Sequence, residues 1–489
     1  MHITMVASEM AFVAKVGGLA DVVFGLSREL QLRGHHVEVV LPKYDCLWHE
    51  QIHGLRSVYD DLSVPWFDGA VHCSVFEGHV HGVPCYFIDP HSEDLFFNRG
   101  CFYGADDDAM RFAFFSRATM EFLYKTNRRP DVIHCHDWQT GLIPVLLYEM
   151  YAPLGMEQER VCYTIHNFKH QGGAGEQVLR ATGLHRPEHF FHHDRLRDDV
   201  NPFGLNLMRG GIVYANFVTT VSPRHAEEVK HSEQGHGLRH ILNTHAGKFG
   251  GVLNGVDYDS WNPEKDDLIP HHYSVDELAG KYGNKEALRD RLLLRKDAKP
   301  IVAYVGRLDS QKGVHLIRHT LFRTLERGGQ FVLLGSSPDP AIDAEFQQLK
   351  VQFNDHPDVH LELAFDEKLA HLIYAGADMM VVPSIFEPCG LTQMIAMRYG
   401  TIPIVRAVGG LADTVFDKDY GHVDPQWRNG FVFHEADVQG LESALDRALG
   451  LFHDYPQDFR SLMQSAMRHD NSWNHPGQHY VNIYEHIRS

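Results

Sequence analysis

This sequence predicts an α/β protein of two domains, each built from strand–helix–strand units, and three observations predict it. Short apolar runs alternate with amphipathic helical stretches from the amino terminus onward. The same alternation starts afresh near residue 301, after a glycine-rich segment at 248–255. The 489 residues also exceed what one hydrophobic core usually serves.

Residues 3–7 form an apolar strand pattern, followed by a glycine loop, an amphipathic helix over 19–33, Gly34 as a helix stop and a second strand at 37–41. That order is a βαβ unit. Strand patterns at 83–88, 132–135, 161–165 and 218–221 extend the first domain, placed at 1–250. The glycines near 250 suit a hinge. Strand patterns at 301–305, 331–334, 379–382, 402–405 and 431–433 make up the second, placed at 251–470. Ser472-Trp473-Asn474-His475-Pro476 then punctuates the chain before a final helix, within 471–489, that ends at Arg488.

With 44% hydrophobic and 22% charged residues, the chain has the composition of a folded protein rather than a disordered one. Its formal charge is −19, from 45 Lys plus Arg against 64 Asp plus Glu. An acidic surface repels phosphate backbones and anionic lipid headgroups, so neither nucleic acid nor a membrane is an expected partner. A phosphorylated ligand would need cations concentrated locally against this field. Seven scattered cysteines argue for a reducing compartment, the cytoplasm. The amino terminus has no basic region before its short apolar run, so neither a secretory leader nor a membrane span is expected there. Should a transit peptide have been removed, the compartment would be the plastid stroma. The 36 histidines are dispersed, as solvated surface residues are, and nothing in the sequence points to an oligomeric state.

In a doubly wound sheet, ligands bind where strand ends lead into helices. Lys15-Val16-Gly17-Gly18-Leu19-Ala20-Asp21 occupies such a loop, where paired glycines let backbone N–H groups approach a phosphate or simply make a tight turn. After the first strand of the second domain, Gly306-Arg307-Leu308-Asp309-Ser310-Gln311-Lys312-Gly313 places two more cations beside glycines. If both loops face one cleft, Lys15, Arg307 and Lys312 would together neutralise a nucleoside diphosphate. Pro383-Ser384-Ile385-Phe386-Glu387-Pro388-Cys389-Gly390-Leu391-Thr392-Gln393 follows the strand at 379–382. His134-Cys135-His136 carries metal-ligating residue types, but neighbours on one strand point to opposite faces and no second ligand cluster accompanies them, so no metal is expected.

Together with KVGGLADV at 15–22, HCHDWQTGL at 134–142, TIHN at 164–167, TVSP at 220–223, LNGVD at 253–257 and GRLDSQKG at 306–313, the segment at 383–393 resembles the bacterial glycogen synthase and plant starch synthase family over essentially the whole chain. SIFEPCGLTQMIAMRYG, with Ile385 where many bacterial members carry Arg, is more similar to the starch synthase III and IV type and its cyanobacterial relatives. The resemblance implies the GT-B fold: two Rossmann-like domains facing a central cleft, with a carboxy-terminal helix crossing back to the first. It implies transfer of glucose from ADP-glucose to the non-reducing 4-hydroxyl of an α-1,4-glucan, with retention and with no cofactor or metal. A UDP-sugar transferase and a catalytically silent glucan-binding protein remain the alternatives.

Carried over by motif, Glu387 is the essential carboxylate, Arg307 and Lys312 bind the diphosphate, and His166 lies beside the donor sugar. Asp137 either holds sugar hydroxyls or caps the helix after it. The donor and acceptor contacts implied are Lys15, Gly18, Asp21, Tyr103, Asn167, Arg209 and Asn254, with the backbone of Gly390, Leu391 and Thr392 at a helix start. Phe365 stands where some members stack a tyrosine on adenine. Ile395 replaces the second glutamate by which many retaining GT-B enzymes hold the ribose, as in this family generally, so the ribose is recognised otherwise.

Overall fold

The computed structural model describes all 489 residues. They divide into two units, Met1–Gly255 with Trp473–Ser489, and Val256–Ser472.

The first unit is organised by a nine-stranded sheet. Its strands run in the order Phe249–Gly251, Phe217–Thr220, Arg160–Ile165, Val132–His136, His2–Val6, His36–Pro42, Val83–His91, Gly69–Val80 and His53–Trp66. The first seven are parallel, and the last two continue antiparallel from Val83–His91. Helices on both faces explain why the central strands read as continuous apolar runs. His2–Val6 pairs with His36–Pro42 on one side and with Val132–His136 on the other. Strand order therefore reverses at His2–Val6, which leaves a crevice at the carboxyl ends of these strands.

Three strands of this sheet, His53–Trp66, Gly69–Val80 and Phe249–Gly251, escape a search for apolar runs. In His53–Trp66 the first six residues are exposed and half the strand is polar, so pairing rather than composition makes it a strand. Phe249–Gly251 is an edge strand beside Phe217–Thr220, not a hinge, and the division of the chain lies after Gly255 instead of near 250.

The second unit holds a six-stranded parallel sheet in the order Val359–Glu362, Gln330–Leu334, Ile301–Val305, Met379–Val382, Ile402–Arg406 and Phe431–Phe433. Order reverses here at Ile301–Val305, flanked by Gln330–Leu334 and Met379–Val382. The short strand Val359–Glu362 had no apolar run to announce it.

The final helix, Asn474–Arg488, packs on helix Gly18–Leu32 and strand Arg160–Ile165, so the chain end returns to the first unit. Its buried face carries Tyr480 and Tyr484. The Tyr484 hydroxyl lies 2.7 Å from His134 Nδ1, His134 Nε2 lies 2.7 Å from Thr164 Oγ1, and Thr164 Oγ1 lies 2.6 Å from Thr219 Oγ1. This polar chain crosses three adjacent strands in the core. Trp473, just ahead of the helix, rests on Gly25 so closely that a β-carbon there would overlap its indole. All seven cysteines are free, and no helix is long and apolar enough to cross a membrane.

Two predictions follow from this docking. Gly25→Ala should destabilise the first unit by about 1–3 kcal/mol through overpacking, read as a lower urea midpoint. Burial lowers the His134 pKa to about 3, against about 6.5 in an unfolded chain. A ring that stays neutral when folded contributes its full stability above pH 6.5 and loses it as pH falls towards 3. Between pH 6.5 and 5 that loss amounts to about 2 kcal/mol. Unfolding of His134→Gln across this range should show a correspondingly shallower acid dependence than the parent.

Candidate active site

At the reversal point of the first sheet, the chain leaves Val6 and runs to the glycine loop. Glu9, a residue the motifs did not single out, organises that loop. Its Oε2 accepts the N–H groups of Val16 at 2.6 Å and Gly17 at 3.0 Å, and its Oε1 accepts the Tyr103 hydroxyl at 2.6 Å. Burial raises its pKa, while the three donors act in the opposite direction. Tyr103 also lies 2.7 Å from Ser8 Oγ, so its hydroxyl serves the loop. The signal available in the sequence was a carboxylate placed between the first strand and the glycines.

Gly17 is the N-cap of helix Gly18–Leu32 and, as a glycine, offers no side-chain cap of its own. Lys15 Nζ pairs with Asp21 Oδ1 at 2.7 Å. Both side chains are solvent-accessible, and exposed pairs of this kind are worth about 1 kcal/mol or less, so Asp21 aims the lysine without consuming its charge.

His136 and Asp137 leave the neighbouring strand at the same reversal point. Asp137 adopts φ 57°, a left-handed conformation uncommon outside glycine and of the strained kind found at functional sites. It does not cap the helix that follows. Its Oδ1 instead accepts the N–H groups of His166 at 2.7 Å and Asn167 at 3.4 Å, closing the end of strand Arg160–Ile165. Desolvation raises its pKa to about 7 against these donors. His166 Nε2 lies 3.0 Å from His136 Nδ1, and burial lowers the His166 pKa to about 3. His136, lowered by the same cause, has a buried Nε2 without a partner. His134 and His136 share one strand face, their rings stacked 4.2 Å apart. The three histidines are neutral at pH 7, so they offer hydrogen bonds and not charge. Asn167 Oδ1 accepts Lys169 N–H at 2.9 Å, which shapes the same turn.

In the second unit, the loops after Ile301–Val305 and Met379–Val382 are neighbours because those strands pair. They exchange backbone and side-chain contacts: Ile385 N–H donates to Gln311 O at 2.8 Å, and Gln311 Nε2 donates to Phe386 O at 3.3 Å. Asp309 caps the short helix Ser310–Lys312 by accepting the Lys312 N–H. Lys312 Nζ then reaches Glu387 Oε2 at 2.6 Å, and Ser384 Oγ donates to the same oxygen at 2.9 Å. Glu387 is only 6% exposed, so its charge is held by a lysine and a hydroxyl rather than by water. The Glu387 carbonyl accepts the Gly410 N–H at 3.1 Å and sits against Gly409, where any β-carbon would overlap it and φ is 47°. Arg307 remains exposed, its Nη1 3.6 Å from Asp309 Oδ2, and Tyr304 donates to its carbonyl at 2.5 Å. Ser384 lies within the quoted segment 383–393 but was given no role there, and Tyr304 and Gly409 lie outside the motifs. Leu391 is the N-cap of helix Thr392–Arg398, with Gly390 at φ 78° leading into it.

Three further predicted residues sit differently. Arg209 is 1% exposed, and its guanidinium is bonded to Asp199 at 2.7 Å, to the Arg195 carbonyl at 3.1 Å and to the His193 carbonyl. In this structure it clamps its own loop. Asn254 is buried, with Oδ1 unpartnered. Phe365 is 90% exposed.

Residues 2–244 match the family model described as "Starch synthase catalytic domain", and residues 284–458 match "Glycosyl transferases group 1". Glycogen synthase 2 of Methylococcus capsulatus is 65% identical over 488 residues and glycogen synthase 1 of a Synechococcus strain 61% over 489, each match covering 100% of both chains. Among solved structures, the catalytic domain of starch synthase IV from Arabidopsis thaliana, bound to ADP and acarbose, superposes with TM-score 0.96 at 46% identity, covering 100% of this chain and 99% of that one. Sucrose-phosphate synthase from Thermosynechococcus elongatus, at 20% identity and TM-score 0.58 over 99% of this chain and 98% of that one, shares the fold. Full-length identity at this level, on a GT-B fold, establishes that this chain is a glycosyltransferase of the starch synthase and bacterial glycogen synthase family.

Proposed function

We propose that this chain transfers glucose from ADP-glucose to the non-reducing 4-hydroxyl of an α-1,4-glucan, retaining the anomeric configuration, without a metal or cofactor. The observation that carries this is the Lys312–Glu387 pair at 2.6 Å, which joins the two sequence motifs of the second unit into one charged centre. Lys312 and the exposed Arg307 neutralise the departing ADP, and Glu387 stabilises positive charge developing near the anomeric carbon. Phe365 stacks on the adenine. The uncapped start of helix Gly18–Leu32, with Lys15, adds anion contacts, while neutral His166 and the turn closed by Asp137 meet sugar hydroxyls. The full-length likeness to glycogen synthases and to a starch synthase bound to ADP and acarbose supports both the donor and the glucan acceptor. A cytoplasmic location fits the seven free cysteines.

Two outcomes test this. Lys312→Ala and Glu387→Gln should each lower kcat for transfer from ADP-glucose to maltotriose by about 10²-fold or more, measured at a temperature where each variant is folded, with Lys312→Ala also lowering thermal stability because it leaves Glu387 buried without its cation. Near-normal turnover in both, or equal use of UDP-glucose by the parent enzyme, would overturn the assignment. Phe365→Ala should raise KM for ADP-glucose by about fivefold to tenfold while kcat holds, because stacking acts alike on substrate and transition state.

A further inference from the structure

A pocket of about 650 Å³ opens in the second unit between the segment 418–428 and helix Pro456–Arg468. None of the residues assigned to glucose transfer lines it. Its size lies within the roughly 300–1,000 Å³ of small-molecule sites. Its wall includes Trp427, 52% exposed, on a segment that is otherwise firmly tied down. Ser465 Oγ lies 2.8 Å from the Gln426 carbonyl and 2.7 Å from that of Arg428. Arg428 donates to the carbonyls of Lys418 at 2.9 Å and Val423 at 3.3 Å. The indole is thus presented by a rigid support, which lowers the ordering cost of binding.

The charges around the pocket select the ligand class. Lys418 pairs with Asp419 at 3.4 Å, Arg468 pairs with Asp276 at 3.2 Å, and Arg428 donates to carbonyl oxygens. Asp458 also lines the pocket. Asp419, Asp276 and Asp458 together balance the charges of Lys418, Arg428 and Arg468, so no net charge singles out a phosphate or a cation. What remains is an exposed aromatic face beside hydroxyl, amide and carboxylate groups of Ser461, Gln426 and Asp458. A pyranose ring matches this: its C–H face lies on the indole and its hydroxyls bond the polar rim.

We propose that this pocket is a second glucan site, separate from the transfer centre, in which a glucose unit of the acceptor polymer stacks on Trp427. The proposal rests on the glucan acceptor of the preceding section. A polymer held there keeps its ends at raised local concentration, so the site raises affinity for long acceptors and leaves short ones unaffected.

The experiment compares the parent enzyme with Trp427→Ala and Trp427→Phe, using glycogen and maltotriose as acceptors and gel-retardation by glycogen as a direct binding readout. Trp427→Ala should weaken retardation and raise KM for glycogen by about fivefold to tenfold, with kcat and KM for maltotriose unchanged and Trp427→Phe partly restored. Ser461→Arg, which fills the pocket from the exposed face of its helix, should reproduce the loss if the alanine variant folds poorly. Unchanged glycogen retardation in folded Trp427→Ala and Ser461→Arg overturns the proposal, as does displacement of glycogen from the parent by inorganic phosphate, which would mark an anion site. Failure of the parent to use either acceptor would instead overturn the proposed function.

Discussion

The chemistry of this protein depends on which strands lie side by side. In a parallel sheet, adjacent strands cannot be joined by a tight hairpin, so each ladder brings together segments that a crossover has separated. Ile301–Val305 pairs with Met379–Val382 across more than seventy residues, and His2–Val6 pairs with Val132–His136 across more than a hundred and twenty. In both sheets these pairings fall where strand order reverses, and there the loops diverge instead of crossing over each other. Lys312 meets Glu387 because of the first pairing. The glycine loop and the His136–Asp137 corner leave the same edge because of the second.

Around these points the electrostatics are local and follow one pattern. The chain carries a net charge of −19, yet the cations at the strand ends are retained, each beside a carboxylate. Lys15 has Asp21, Arg307 has Asp309, and Lys312 has Glu387. The pairs differ in depth. Lys15 and Arg307 are solvent-accessible and weakly held, while Glu387 is buried and held by Lys312 and Ser384. In the first unit burial acts on neutral groups instead, keeping His134, His136 and His166 uncharged and pushing the Asp137 pKa towards neutrality.

The polar chain from Tyr484 through His134 to Thr164 and Thr219 links the end of the chain to the middle of the first sheet. His134 lies two residues from His136, whose ring contacts His166, so the docking of the last helix and the geometry of the histidine corner share one strand. Arg209 has a parallel structural task, bracing the segment around 193–199 from a buried position.

The amino-acid sequence alone determined the fold class, most of the strands, and the motif residues, because apolar periodicity and glycine–cation spacing are local properties. KVGGLADV, GRLDSQKG and FEPCGLTQ are legible as short strings, and so is their family. The strands His53–Trp66, Gly69–Val80, Phe249–Gly251 and Val359–Glu362 were not, since partners rather than composition make them strands. The same holds for the site. Glu9 as the clamp of the glycine loop, Asp137 as the brace of the His166 turn, and Arg209 as a buried structural cation are set by contacts between segments far apart in the chain. Which charged side chains stay available and which are consumed is decided by burial and by hydrogen-bond partners, and these exist only once the sheets are assembled.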